Sequence, residues 1–344
     1  RNGERGIGEG AAGELYMIEH VAGDANSSGG ETVRVKFSGR EKIYSGVKKI
    51  VAHAGDGDDH IYINEGVSAG VEIYGQGGND VIIYNGTGAA YIDGGADNDY
   101  IVADANTGSS GATRSREGDD WAAILLGGIG QDYIFNNTSR AAFIDGGNDN
   151  DLIHGGGAAD RIRGGSGNDE IFGNGGADEI DGQGGDDLVH LKLKDAAMVD
   201  IVGGGDRDIL EITATATADV IVVTTGAGDT LQVRFEEAGD GSILSVEFEN
   251  LTLLTQGGGD RVTVQRVDEP DLEEIDINVG NGSNDQVVIE GTTGNDVFTL
   301  TDTPDGMQTA TTWSGRNGGG TVDIQLIGTV RSQGDTLTIR ADKG

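Results

Sequence analysis

The sequence predicts an all-β solenoid whose glycine-rich turns carry aspartates. Three observations carry that reading. A nine-residue unit, Gly-Gly-x-Gly-x-Asp-x-aliphatic-x, runs five times in register through residues 146–190. Glycine is extreme, at 63 of 344 residues, while proline occurs only twice; that combination reads as many tight turns instead of a loose linker. Outside the tandem block the same turn returns at steps of about one coil of strand, turn, strand, turn.

Each half of the unit has its own physical logic. The glycines reach backbone angles closed to other residues, which allows a sharp turn. The second half alternates apolar and polar, as a half-buried strand does. Helix is disfavoured, because each interior glycine costs about 1 kcal/mol relative to alanine. The sixth places of the block are Asp151, Asp160, Asp169, Asp178 and Asp187, and the eighth places are Ile153, Ile162, Ile171, Ile180 and Val189. The eighth places predict the core. Upstream the turn recurs around Asp59, Asp80, Asp99 and, in a degraded form, Asp120; downstream it recurs at Asp208. Asp132 falls 12 residues after Asp120, outside this ladder, and is expected at the opposite edge.

The last third keeps the idea with longer coils. Asp260, Asp285 and Asp296 sit in glycine-containing turns at wider steps, which implies longer strands or inserted hairpins. We divide the chain into lead-in strands (1–50), the repeat solenoid (51–210) and a longer-coil continuation (211–344). The apolar "GELYMIEHV" (13–21) and the strands near the C-terminus are expected to pair with another copy or with the rest of a parent protein, because no helix caps either end.

The formal net charge is -36, from 59 acidic and 23 basic residues. That balance repels nucleic acid and anionic membranes and attracts cations. No apolar stretch of about 20 residues is present to insert into a membrane. With no cysteine there is no disulfide and no thiolate zinc site. The chain opens on Arg1 instead of Met, which reads as a fragment or a processed product. No zinc-protease or nucleophile-elbow motif is present. His154 and His190 occupy ninth places and are expected to face outward.

Stacked coils would set the aspartates one above another at about 4.8 Å. A column of bare carboxylates at that spacing repels itself unless cations intervene. Carboxylates and glycine-turn carbonyls form an all-oxygen donor set, and flexible loops of that kind favour calcium over magnesium. The block resembles the repeat-in-toxin (RTX) family, with its hemolysin-type calcium-binding nonapeptide. The resemblance is specific over 146–190 and interrupted over about 54–210. It implies a right-handed parallel β-roll or β-helix binding several calcium ions. One ion would be shared by Asp151 and Asp169, another by Asp169 and Asp187, and one by Asp160 and Asp178 on the other edge. Carbonyls of Gly147, Gly165, Gly167 and Gly176 would complete these sites. Asp149 and Ala158 depart from the pattern at the fourth place, where glycine is usual.

Taken together, these readings point to a calcium-dependent, non-enzymatic structural segment of an extracellular or cell-surface protein. An adhesin stalk, a surface-layer subunit or a fibre would fit, with calcium and self-association as the implied partners. The alternatives are an accessory tail of a toxin or exoenzyme, or a polysaccharide-acting enzyme built on a β-helix.

Overall fold

In the computed structural model the chain forms two compact units, Arg1–Gly173 and Asn174–Gly344. The described residues are 13–37, 39–104, 113–114, 120–192, 200–225, 231–237, 240–265, 267, 272–279, 285–290, 297–303, 306–312, 321–327 and 336–340. Among them the regular structure is strand; no helix is present, and so none long and apolar enough to cross a membrane. The fold is a parallel β-solenoid, as the repeat predicts.

In the first unit the chain winds alternately through two parallel sheets. One holds His60–Ile63, Val81–Tyr84, Tyr100–Ala103, Tyr133–Asn136, Leu152–His154 and Glu170–Phe172, each paired in register with the next. The other holds Lys49–Asp56, Gly70–Gly77, Ala90–Ala96, Ala123–Ile129, Ala142–Asn148 and Arg161–Ser166. The register stacks Ile61, Ile82, Ile101, Ile134, Ile153 and Ile171 into one column. Ile73, Ile92, Leu125, Ile144 and Ile162 form the facing column, and every member of both is fully buried. The core is built on these two facing columns of branched aliphatics, flanked by stacked Val71, Ala90, Ala123 and Ala142 in one sheet and Ile63, Tyr84 and Ala103 in the other. Burying one such side chain stabilises by about 1.5–3 kcal/mol, and a one-residue slip would turn every column to solvent.

The outward ninth-place side chain His154 lies between Phe135 and Phe172, with ring centroids 4.8 and 4.3 Å away. It therefore faces outward as expected, within a stack of rings that follows the strand spacing.

The N-terminal strand corrects the sequence reading. Leu15–Gly23 is paired on both sides by its own chain, parallel to His60–Ile63 and antiparallel to Glu31–Phe37. Its apolar Tyr16 and Ile18 are buried there. The chain satisfies that segment by turning back twice, so it does not itself offer a pairing strand to another molecule. The edge passes to Arg40–Val47, where Arg40, Glu41 and Lys42 place charge on an exposed strand, a usual device against edge pairing. Glu31 fastens the meander down. It is fully buried, and its carboxylate accepts from the Ser68 and Ala69 amides at 3.0 and 2.7 Å and meets His20 at 2.7 Å.

The second unit follows the same winding with insertions. Val189, Leu210, Leu251, Ile275 and Ile324 form its stacked column. The wide steps between turns come from antiparallel hairpins, as the spacing implies. Val220–Thr225, Leu231–Glu237 and Asp240–Glu247 form one meander; Val297–Thr303, Gly306–Thr312 and Thr321–Ile327 form another.

Candidate metal centre

In the first unit, one aspartate stands immediately before each first-sheet strand from His60–Ile63 to Glu170–Phe172. These are Asp59, Asp80, Asp99, Asp132, Asp151 and Asp169, all no more than 3% exposed. They form a continuous ladder. The amide of each rung donates to the Oδ1 of the next: Asp59 to Asp80, Asp80 to Asp99, Asp99 to Asp132, Asp132 to Asp151 and Asp151 to Asp169, at 2.7–2.8 Å. The Glu14 amide closes the ladder on Asp59 at 2.7 Å. Asp132 is therefore a rung on the same edge and not an outlier. The expected 12-residue misfit arises because the coil between Asp99 and Asp132 is 33 residues long, with Asp120 inside the insertion and not on the ladder.

The second carboxylate oxygen carries the chemistry. Oδ2 of Asp59, Asp80, Asp99, Asp132 and Asp151 is buried and accepts no hydrogen bond. Leaving a buried carboxylate oxygen unmatched costs about 1–3 kcal/mol or more, and here it is repeated five times in a row. The glycine five residues earlier explains how the oxygen fits. A Cβ on Gly75 would lie 2.1 Å from Asp80 Oδ2 and 2.3 Å from the Gly94 carbonyl oxygen of the next coil. Gly94, Gly127 and Gly146 repeat this with Asp99, Asp132 and Asp151 and the carbonyls of Gly127, Gly146 and Gly164. From Asp80 to Asp151 each rung therefore holds a carboxylate oxygen and a carbonyl oxygen over a bare glycine Cα, in a cradle that a side chain would fill; before Asp59 the same place is Ala54.

Burial raises these carboxyls well above their ordinary range. Asp80 and Asp132 are pushed up to about 7 and Asp99 and Asp151 to about 8, chiefly by desolvation; the amide bond from the preceding rung opposes it. Neighbouring aspartates add to the rise at Asp80, Asp99 and Asp151. Asp169 rises to about 6 from the same burial. Such a column holds its charge at neutral pH only if a cation supplies what water has lost.

The donor set fits a hard cation. It is all oxygen, the loops are glycine turns, and one unmatched oxygen recurs at every coil from Asp59 to Asp151, which suits calcium. Among the described residues no three acidic or histidine side chains converge on one point, so most ligands to any ion must be turn carbonyls. Gly147, Gly165 and Gly167 have φ of +114°, +124° and +126°. Their added Cβ atoms would meet the backbone of the preceding coil at 2.0–2.2 Å, so only glycine lets these coils stack. Asp149 keeps the left-handed turn at φ +73° despite its side chain.

One feature of this edge went unread in the sequence. The fifth places form an outer ladder running the other way. The Asn79 amide donates to Asp58 at 2.8 Å, that of Asn98 to Asn79 at 3.1 Å, and that of Gln131 to Asn98 at 2.7 Å.

Asp160, on the turn before Arg161–Ser166, behaves differently. Its Oδ2 accepts the Gly156 amide at 2.6 Å, and its Oδ1 accepts the Ala142 amide at 2.7 Å and the Asn136 side-chain amide at 3.4 Å. Both oxygens are matched within the protein.

In the second unit, Asp187 and Asp208 are consecutive rungs, the Asp187 amide donating to Asp208 Oδ1 at 2.9 Å. The turns before its other sheet hold Asp219, Asp260 and Asp285, joined by amide-to-Oδ1 bonds of 2.9 and 2.8 Å. Asp219 was not among the expected residues, because its turn "ATATAD" contains no glycine. Oδ2 of Asp208 is buried and unmatched. Burial, reinforced by Asp187 and Glu249, pushes Asp208 up to about 7. Asp178 is buried at the head of Glu179–Gly184, and Gly176 is left-handed at φ +126°. Asp296 lies outside the described residues.

Fold and site together define a parallel β-solenoid with carboxylate ladders in its turns, a calcium-binding structural repeat region. A family model described as the RTX calcium-binding nonapeptide repeat (4 copies) matches residues 86–107, 138–171 and 154–189. The chain carries RTX repeats over those residues. No curated protein matches the chain.

Proposed function

We propose that the chain is a calcium-dependent structural segment of an extracellular or cell-surface protein, folded and held by ions on its carboxylate ladders. The single observation that carries this is the run of five buried, unmatched Oδ2 atoms from Asp59 to Asp151. Asp59, Asp80, Asp99, Asp132, Asp151 and Asp169 would supply one carboxylate oxygen per coil. First-place glycines and Gly147, Gly165 and Gly167 would add carbonyls. In the second unit Asp187, Asp208, Asp260 and Asp285 would act in the same way.

The role of the ions is thermodynamic. Two carboxylates one strand spacing apart repel by about 3 kcal/mol at an effective dielectric of 20, and the thin aliphatic core must offset several such pairs. An ion that binds only the folded chain stabilises it by mass action, about 2.7 kcal/mol per site at a hundred times its Kd. Secretion into a calcium-rich medium would couple folding to arrival outside the cell. A stalk, a surface-layer subunit or a fibre uses a scaffold of this kind, and the acidic flanks could be bridged by calcium between copies.

An enzyme reading would look to the open cavity on the second unit that Glu236, Arg261 and Glu290 line. The strands that carry those two glutamates stand three strand spacings apart, roughly 14 Å between backbones, so the two are not neighbours on the sheet.

The test is strand content and melting temperature with calcium and with excess chelator. We expect strand circular dichroism to fall and the melt to shift down by more than about 10 °C on chelation. An unchanged spectrum and melt would remove the reading.

A further inference from the structure

We infer that Glu249 is the last carboxylate of the Asp187–Asp208 ladder and forms with Asp208 a cation site beyond the RTX repeats. The inference rests on the calcium reading but concerns residues outside the matched range, which ends at 189. The geometry repeats that of a rung. The Asp187 amide donates to Asp208 Oδ1 at 2.9 Å, and the Asp208 amide donates to Glu249 Oε2 at 2.7 Å. Glu249 thus does for Asp208 what Asp208 does for Asp187, although no glycine turn announces it and the step is 41 residues.

The longer side chain fits its setting. Glu249 sits between Phe248 and Leu251, both 1% exposed, so its backbone is fixed by two buried anchors. The turn here is only Phe248 and Glu249, between Asp240–Glu247 and Asn250–Leu254; it contains no glycine, and one more methylene lets a glutamate span what an aspartate spans from a glycine loop. The independent sign of a ligand is Asp208 itself. It is 1% exposed, its Oδ2 is buried with no hydrogen-bond partner, and that oxygen lies 2.4 Å from where a Cβ on Gly203 would stand. The unmatched oxygen of Asp208, the Glu249 carboxylate and nearby carbonyls make an all-oxygen site of the kind that suits calcium.

The site has a structural consequence. Residues 208 and 249 flank the inserted meander of Val220–Thr225, Leu231–Glu237 and Asp240–Glu247. A cation held by both would clamp the base of that insertion and fix Ile209–Thr213 against Asn250–Leu254, which pair in parallel.

The experiment counts calcium bound per full-length chain by equilibrium dialysis. It also follows amide exchange of residues 209–213 and 250–254 with and without calcium. Glu249→Gln keeps an oxygen to accept the Asp208 amide while removing the charge, so the fold is expected to persist. It should bind one ion fewer than wild type and lose the calcium-induced protection of those two strands. Glu273→Gln, which removes a nearby exposed acid that pairs with Arg207 at 3.6 Å, should leave both readouts unchanged. Wild-type uptake with an unchanged count and protection in Glu249→Gln overturns this inference alone. A wild-type chain that takes up no calcium overturns this inference and the proposed function together.

Discussion

The Asp151 and Asp160 turns lie nine residues apart in the same tandem block, and they solve the same problem in opposite ways. Asp151 leaves one buried oxygen unmatched, while Asp160 has amide donors on both. The difference coincides with one at the fourth place. Asp149 takes a left-handed backbone at φ +73°, whereas Ala158 lies outside that region. Aspartate visits that region far more readily than alanine. With Ala158 the turn folds back so that the Gly156 amide reaches Asp160. An aspartate at the sixth place is therefore not sufficient for an open site; the turn before it decides whether the carboxylate looks at a cation or at its own chain.

The comparison is broken most severely at the glycines. Gly146→Ala would place a methyl 2.4 Å from Asp151 Oδ2 and 2.5 Å from the Gly164 carbonyl. It should cost about 3 kcal/mol or more, as overpacking with displaced backbone does, and should blunt the calcium response. Gly157→Ala in the closed turn meets nothing nearer than 3.9 Å and should change stability by less than about 0.5 kcal/mol. Calcium-dependent thermal melts of the two variants measure the contrast. Equal effects would show that the ladder cradles are not confined spaces.

Titration without calcium gives the next largest effect. A carboxyl whose folded pKa is raised binds more protons in the native state, so its contribution is full below the unfolded value near 4 and is lost as pH climbs through the folded value. Asp80 and Asp132 at about 7, and Asp99 and Asp151 at about 8, place that loss between pH 4 and 8. The chelated protein should therefore be most stable in mild acid and weaken toward pH 8, the rungs titrating as a coupled set. Calcium should reverse the trend, because its ligands must be deprotonated. Asp160 rises only to about 6, its amide donors opposing burial. Asp151→Asn should accordingly flatten the slope between pH 6 and 8, and Asp160→Asn should alter that part of the curve much less, its own loss centred near pH 6. Denaturant melts across that range decide it.

How far this was legible follows from what the spacing encodes. The nine-residue period fixes which residues stack, and the buried columns of Ile153, Ile162 and Ile171 follow from alternation alone. The hairpins were legible as wide steps between turns. The place of Asp132 was not, because counting along the chain assumes coils of equal length, and the insertion before Trp121 breaks that assumption while the hydrogen-bonded register ignores it. Glu249 was hidden for a related reason. Its rung is built by two buried anchors and a longer side chain, and none of these carries the glycine signature that marks the others. The N-terminal pairing was half legible: "GELYMIEHV" asks for a partner, but nothing local says that the partner is the chain's own next strand.

The smallest expected effect is also the sharpest test of what separates the two turns. Ala158→Gly adds no contact and removes only a methyl. If the fourth place decides whether a turn opens, glycine should let residue 158 reach the left-handed region, release the Gly156 amide from Asp160 Oδ2, and expose an oxygen of the kind Asp151 shows. Stability without calcium should change by no more than about 1 kcal/mol, since backbone freedom gained in the unfolded chain opposes strain relieved in the folded one. Calcium should then stabilise this variant more than wild type, by a margin that grows with the logarithm of its concentration as an added or tightened site requires. Asp149→Gly is the matched control. Its backbone is already left-handed, so glycine relieves strain without changing which way Asp151 faces, and its calcium dependence should parallel that of wild type. If Ala158→Gly tracks wild type at every calcium concentration, the closed state of the Asp160 turn is set by its donors Ala142 and Asn136 and not by the residue at the fourth place.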